Sequence, residues 1–353
     1  MTDAASSRVL VGSDHGVGHL TLNRPEALNA LDHDMVVAIS AALDRWRDDP
    51  DVQLVLLDGA GERGLCAGGD VRGLARQITS GDPESAAIFF RAEYAMNARI
   101  AEYAKPVVAI ADGVTMGGGI GLAGHAAIRV VTERSKLAMP ETRIGFTPDV
   151  GGTWLLGRAP GRVGEYLGVT GMTMDASDAI YAGFADHFVP SDRLTSLVDA
   201  LQTRADPTGP TELVLLFDET AAPSRLEAAR PWIDDAFSAP TIGQVIARLR
   251  ARPEPEAAQT AELMEGLSPT GMAVTLESVR RARDAASVRD VLAQEYGVVM
   301  WFVTTQPDLP EGVRAQLIDK DRSPHWQPAS IADLPDDLVE IAFGHTPQQA
   351  LWD

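Results

Sequence analysis

Apolar residues fall into two rhythms along the chain. Residues 8 to 22, RVLVGSDHGVGHLTL, set short apolar stretches on either side of an Asp/Gly-rich centre, which predicts two short strands around a turn. From Asp32 the period lengthens. Met35, Val36, Ile39 and Leu43 lie at helical spacing, so the pattern predicts a helix to about Trp46 with Asp32 as its cap. VQLVLLDG (52–59) and PVVAIADG (106–113) are short apolar runs ended by Asp-Gly, typical of buried strands. Residues 83–104 are helical in pattern, and AIRVVTE (127–133) predicts a further strand. Strands alternating with helices imply an α/β core.

After about residue 205 the texture changes. Segments near 211–220, 241–250, 255–267 and 269–304 are helical in composition, punctuated by Pro and Ser. SPTGMAVTLESVRRA is a good helix start, with Ser268 as N-cap and Pro269 in the first position. ARPEPEAAQ reads as an exposed turn. The expected organisation is a core over 1–205 and a helical region over 206–353, with no internal repeat.

Composition narrows the classes. A chain of 353 residues suffices for one large domain or two ordinary ones, and 45 % apolar with 23 % charged residues is globular. The net charge of −20 argues against nucleic acid or an anionic membrane surface as partner. Cys66 is the only cysteine, so no intrachain disulfide forms, which suits a reducing cytoplasm. The start, MTDAASSRVLVG, lacks the regions of a signal peptide, and cytoplasmic localisation is expected. The longest apolar tract, 106 to 131, is broken by Asp112, His125 and Arg129, and reads as core, not membrane span.

Two glycine-rich stretches follow predicted strands: GLCAGGD (64–70) and DGVTMGGGIGLAGH (112–125). Glycine lets a backbone approach a ligand, and a helix start leaves N–H groups unpaired. Two such donors from separate loops can form an oxyanion hole. Singly, each loop is as well explained by tight turns. GIGLAG (119–124) matches a dinucleotide fingerprint, but the strand is expected to end near Ala111, and too little chain follows Gly124 for the required helix. The dinucleotide reading is rejected.

No metal-binding histidine spacing and no G-x-S-x-G elbow occur. Cys66, His125 and His187 read as structural. The remaining candidates are carboxylates: Glu93 in RAEYAMN, and Glu141 and Asp149 in MPETRIGFTPDVGGTWLLGR (139–158). Each has a plain alternative. Glu141 can cap a turn after Pro140, Asp149 can cap the Gly-rich turn that follows it, and Glu93 can be a solvated helix residue.

With these stretches assembled, the chain resembles the crotonase (enoyl-CoA hydratase/isomerase) superfamily and, within it, the 3-hydroxyisobutyryl-CoA hydrolase family. LNRPEALNAL (22–31), CAGGD (66–70), GGG (117–119) and PET…IG…PDVGG (140–152) follow in the family's order, as do SPT (268–270), EGVRAQLIDKD (311–321) and SPHWQPA (323–329). The resemblance implies an α/β spiral of ββα units with a helical C-terminal region, the latter completing an acyl-CoA-binding core. It implies that the N–H groups of Gly69 and Gly118 bind a thioester oxygen. Arg24, Ala27, Leu28, Ala67, Gly69, Asp70, Val71 and Arg72 are then expected to cradle CoA, with Arg24 or Arg72 meeting its phosphates.

Hydratases of this superfamily carry one catalytic glutamate three residues after the oxyanion glycine. That position is Gly121 here, and only the later carboxylate remains, as Glu141. Glu93 and Asp149 match substrate-contacting acids of the hydrolase family. The implied activity is hydrolysis of a short β-hydroxyacyl-CoA, 3-hydroxyisobutyryl-CoA foremost, as in valine catabolism. Glu141 acts as nucleophile or base, and Asp149 and Glu93 recognise the hydroxyl. No cofactor and no metal are expected, since CoA belongs to the substrate; a homo-oligomer is compatible with the sequence, which does not itself give the oligomeric state. Two alternatives stay open: a hydratase or isomerase using Glu141 and Asp149 together, and a non-catalytic acyl-CoA-binding protein.

Overall fold

The computed structural model describes residues 7–203 and 209–352. The expected junction near residue 205 lies outside the described residues. Two compact units emerge, each assembled from separated stretches of chain: one from residues up to Gly69 with Ala95–Leu137 and Met174–Ser224, the other from Asp70–Tyr94, Ala138–Thr173 and Arg225 onward.

The first unit is built on a six-stranded sheet. Its strands are β1 (Val9–Asp14), β2 (Val17–Leu22), β3 (Leu54–Gly59), β4 (Val107–Ala111), β6 (Ile128–Val131) and β8 (His187–Phe188), in that spatial order. β1 and β2 are antiparallel, as the turn between them requires; every later pair is parallel. β4 is buried along its whole length, the signature of a strand covered on both faces, whereas edge strand β1 is exposed beyond Val9. Two further strands of three residues each, β5 (Val114–Met116) and β7 (Lys136–Ala138), pair separately. Asp32 caps the helix His33–Arg47 through Met35 N, as expected, and that helix buries Met35, Val36, Ile39, Leu43 and Trp46. Gly18 admits Trp46, because a Cβ there would stand 2.7 Å from the indole ring.

The second unit is helical. Pro83–Ala101 contributes its part through Tyr94. Ser268 caps the helix Pro269–Arg283 through Gly271 N. The expected helical run over 269–304 is two helices, since Ser287 restarts the chain as N-cap of Val288–Thr305. The sequence pattern missed Arg225–Phe237, which holds Pro231 in its interior, and overextended the short helix Pro210–Leu215 of the first unit. Stacked and edge-on rings run Phe302–Phe146–Phe90–Tyr94–Tyr296 through the second unit, with centroids 5.5 to 6.3 Å apart. Among the described residues, no helix is long and apolar enough to cross a membrane.

Candidate active site

In the first unit the two glycine loops lie side by side. A bridge pairs Cys66 with Thr115, Met116 N donates to Cys66 O at 2.9 Å, and Cys66 N donates to Val114 O at 3.1 Å. Gly119 is required here, for a Cβ on it would stand 2.5 Å from the Cys66 carbonyl oxygen. Gly118 is the first residue of the buried helix Gly118–Ala123, so its N–H is one of those with no partner inside the helix. The fingerprint glycines Gly119 and Gly121 sit inside this six-residue helix, not at a strand end, which upholds rejection of a dinucleotide site. Cys66 is fully buried, as a core residue should be.

LNRPEALNAL joins the same loops. Ala67 N donates to Leu28 O at 2.9 Å, Leu31 N donates to Gly68 O at 2.8 Å, and a bridge pairs Leu31 with Gly69. Asn29 locks the turn: its Oδ1 accepts from Arg24 N, and its Nδ2 donates to Ala60 O and Gly64 O. Arg24, Ala27, Leu28, Ala67, Gly69 and Gly118 thus lie on loops of this unit that are tied together by hydrogen bonds. The Arg24 guanidinium donates to Ala30 O at 3.2 Å and lies 3.8 Å from Asp32.

In the second unit, Asp70 caps the helix Val71–Thr79 through Gly73 N, with Val71 and Arg72 in its first turn. Arg72 donates to Leu317 O at 3.1 Å, within the EGVRAQLIDKD segment, where Arg314 gathers Glu311, Asp319 and Asp321.

The acids of this unit are buried together. Glu93 is 2 % exposed, Glu141 6 % and Asp149 6 %, so Glu93 is not the solvated helix residue its alternative supposed. Glu141 opens a 3-10 turn, Glu141–Ile144; its Oε2 is buried without a hydrogen-bond partner, as is Glu93 Oε1. Asp149 Oδ2 accepts from the Tyr94 hydroxyl at 2.8 Å.

The glycine turn after Asp149 leads into the helix Gly152–Arg158, whose first N–H groups need acceptors. That task falls to Glu295, which sequence reasoning missed: Oε2 accepts from Gly151 N at 2.6 Å, and Oε1 from Thr153 N at 2.9 Å and Thr153 Oγ1 at 2.6 Å. Its signal was present in the sequence. Glu295 falls on the buried stripe Val291–Leu292–Val298–Val299–Phe302 of its helix, where a carboxylate is out of place unless something needs it.

Burial and mutual repulsion shift these groups together. Loss of hydration holds Glu93 and Glu141 well above the usual carboxylate range, and the charge of Asp149 raises both further. Asp149 is pushed up to about 7 by burial, against the opposing pull of the Tyr94 hydrogen bond. Glu295 is pushed up to about 8 by burial, its three donors working the other way. Glu165, buried as deeply elsewhere in the unit, is paired with Arg162 and Arg283. Repelling, dehydrated acids are more basic when ionised and readier donors when protonated, as acid–base catalysis at neutral pH demands. Among the described residues no group of three or more His, Cys, Asp or Glu is placed to hold a metal ion.

Residues 17–343 match the family model described as enoyl-CoA hydratase/isomerase, and the chain belongs to that family. It is 37 % identical to 3-hydroxyisobutyryl-CoA hydrolase, mitochondrial, of Danio rerio, over 99 % of this chain and 93 % of that one. Two solved structures are 43 % identical. A carnitinyl-CoA dehydratase from Mycobacterium thermoresistibile matches with TM-score 0.93 over 98 % of both chains. An enoyl-CoA hydratase from Rhodobacter sphaeroides matches with TM-score 0.91 over 98 % of this chain and 99 % of its own.

Proposed function

We propose that this protein hydrolyses a short β-hydroxyacyl-CoA thioester, 3-hydroxyisobutyryl-CoA in the first instance, to the free hydroxy acid and CoA. One observation carries the choice of reaction. The helix Gly118–Ala123 has Gly121 where hydratases of the superfamily resembled have a glutamate, while Glu141 and Asp149 are both buried acids. Addition of water across C=C in the usual way needs two cooperating acid–base groups; thioester hydrolysis needs one nucleophile or base and an oxyanion site.

In the reaction so read, the Gly69 and Gly118 N–H groups donate to the thioester oxygen as it gains charge. Glu141 either attacks the carbonyl carbon, giving an anhydride that water opens, or removes a proton from attacking water. In both cases the C–S bond breaks and a proton goes to the departing thiolate; on the base route the water oxygen ends on the acyl carbon, and on the nucleophilic route water splits the anhydride to release the acid and restore Glu141. The raised proton affinity of Glu141 suits a base. Asp149 accepts the single proton of the substrate's β-hydroxyl, and Glu93, which burial keeps protonated, donates to the hydroxyl oxygen; leaving these groups unpaired is what rejects acyl chains without it. CoA lies along the LNRPEALNAL segment and residues 67–72, and no cofactor beyond the substrate's own CoA takes part.

The name of the Danio rerio relative supports hydrolysis. The two solved structures bear hydratase and dehydratase names at 43 % identity, which favours a second reading in which Glu141 and Asp149 together move water on and off an acyl chain. Release of free thiol from 3-hydroxyisobutyryl-CoA, set against loss of enoyl absorbance from crotonyl-CoA, separates the two. Faster hydration than hydrolysis defeats our reading, and tight CoA binding with no turnover of any acyl-CoA would point to a binding protein.

The same reading puts the chain in the cytoplasm, on its single buried cysteine, although the Danio rerio relative is named mitochondrial; fractionation decides. It also includes self-association, supported by the exposed side chains of Leu215 and Leu216 and tested by light scattering.

A further inference from the structure

We infer that Glu295 is a positioning residue for Asp149, so that selection of hydroxylated acyl chains depends on a carboxylate that does not itself meet the substrate. The inference rests on the proposed role of Asp149 and begins with backbone geometry. Asp149 is followed by two residues in the left-handed region, Val150 at φ 55° and Gly151 at φ 75°. Glycine accepts that conformation; valine does not, because its branched Cβ crowds the carbonyl. Strain of this kind persists only where surroundings over-determine it, and it gathers at functional sites.

The surroundings here are Glu295. The helix Gly152–Arg158 begins without a side-chain cap of its own, since its N-cap is Gly151. Glu295, 2 % exposed, reaches in from Val288–Thr305 and takes three hydrogen bonds on its two oxygens, from Gly151 N, Thr153 N and Thr153 Oγ1. Those donors flank Gly152, whose N–H closes the turn onto Asp149 O at 2.7 Å. One buried carboxylate therefore fixes the backbone immediately after Asp149, and Tyr94 fixes the Asp149 side chain from the other side. A serine or aspartate beside the turn could cap the helix at less desolvation cost, so burial of a whole carboxylate from a distant helix asks for a function.

The test compares wild type, Glu295→Gln, Asp149→Asn and the double variant on 3-hydroxyisobutyryl-CoA and isobutyryl-CoA by thiol release. Glutamine has one acceptor where glutamate has two, so Glu295→Gln must turn an NH2 toward either Gly151 N or the Thr153 donors. We expect kcat/KM for the hydroxylated ester, relative to the deoxy ester, to fall about tenfold, with no further fall in that ratio when Asp149→Asn is already present. A ratio that stays at the wild-type value in folded Glu295→Gln overturns the inference and leaves Glu295 a helix cap. Should that variant fail to fold, Thr153→Val removes one bond of the three, and the same ratio is read, with a two- to threefold fall expected and none refuting. Failure of the hydrolase reading shows separately, as absence of thiol release by wild type. Amide exchange of Gly152, whose N–H bonds Asp149 O and not Glu295, then decides: unchanged protection in Glu295→Gln refutes positioning of the turn, and lost protection sustains it.

Discussion

Replacing Asp149 with asparagine should stabilise the protein at alkaline pH while impairing its activity. Asp149 is 6 % exposed, and its proton affinity rises from an ordinary 3.8 to about 7 on folding. The folded state thus binds a proton more tightly than the unfolded chain, and the sign follows: between these values the unfolded chain holds fewer protons, so stability falls as pH rises. The penalty is absent below pH 3.8, reaches about 2 kcal/mol at pH 5 and levels off at about 4 kcal/mol above pH 7, at 1.36 kcal/mol per pH unit. Asparagine resembles the protonated acid, retains an acceptor for Tyr94 and does not titrate. Urea denaturation at pH 5 and pH 8.5 should therefore show the variant gaining about 2 to 3 kcal/mol more over wild type at the higher pH. The neighbours add to the effect, because Glu93, Glu141 and Glu295 each lose a repelling charge. Equal gains at both pH values, or a larger gain at pH 5, would refute the argument that dehydration governs this cluster.

Further outcomes follow from the same geometry. Glu141→Gln should lower kcat by roughly 10²-fold or more with little change in acyl-CoA affinity, checked by steady-state thiol release and calorimetry; near-wild-type turnover removes Glu141 from the mechanism. Gly119→Ala should cost about 2 kcal/mol or more of stability in thermal or denaturant melts, since its Cβ would meet the Cys66 carbonyl oxygen at 2.5 Å, and an unchanged melt would show that the loops part freely. A crystal structure with a bound acyl-CoA should place the thioester oxygen within about 3 Å of both Gly69 N and Gly118 N. A productive complex with that oxygen in solvent sinks the oxyanion assignment.

What the amino-acid sequence determined by itself was local. The caps at Asp32 and Ser268, the buried strands Leu54–Gly59 and Val107–Ala111 and the family-bearing glycine loops depend on residues a few positions apart, where periodicity and side-chain chemistry act directly. Local rules failed where context outweighs propensity. Packing of Leu226, Trp232, Ile233 and Phe237 holds the helix Arg225–Phe237 despite Pro231, and two-residue β8 exists only because β6 offers it an edge. The candidate acids were legible as residues but not as a cluster. Burial of Glu93, the Tyr94–Asp149 hydrogen bond and the hold of Glu295 on Gly151 and Thr153 join positions up to 144 apart in the chain. A carboxylate's proton affinity follows from the water it loses and the charges it gains as neighbours, and only the tertiary structure decides either.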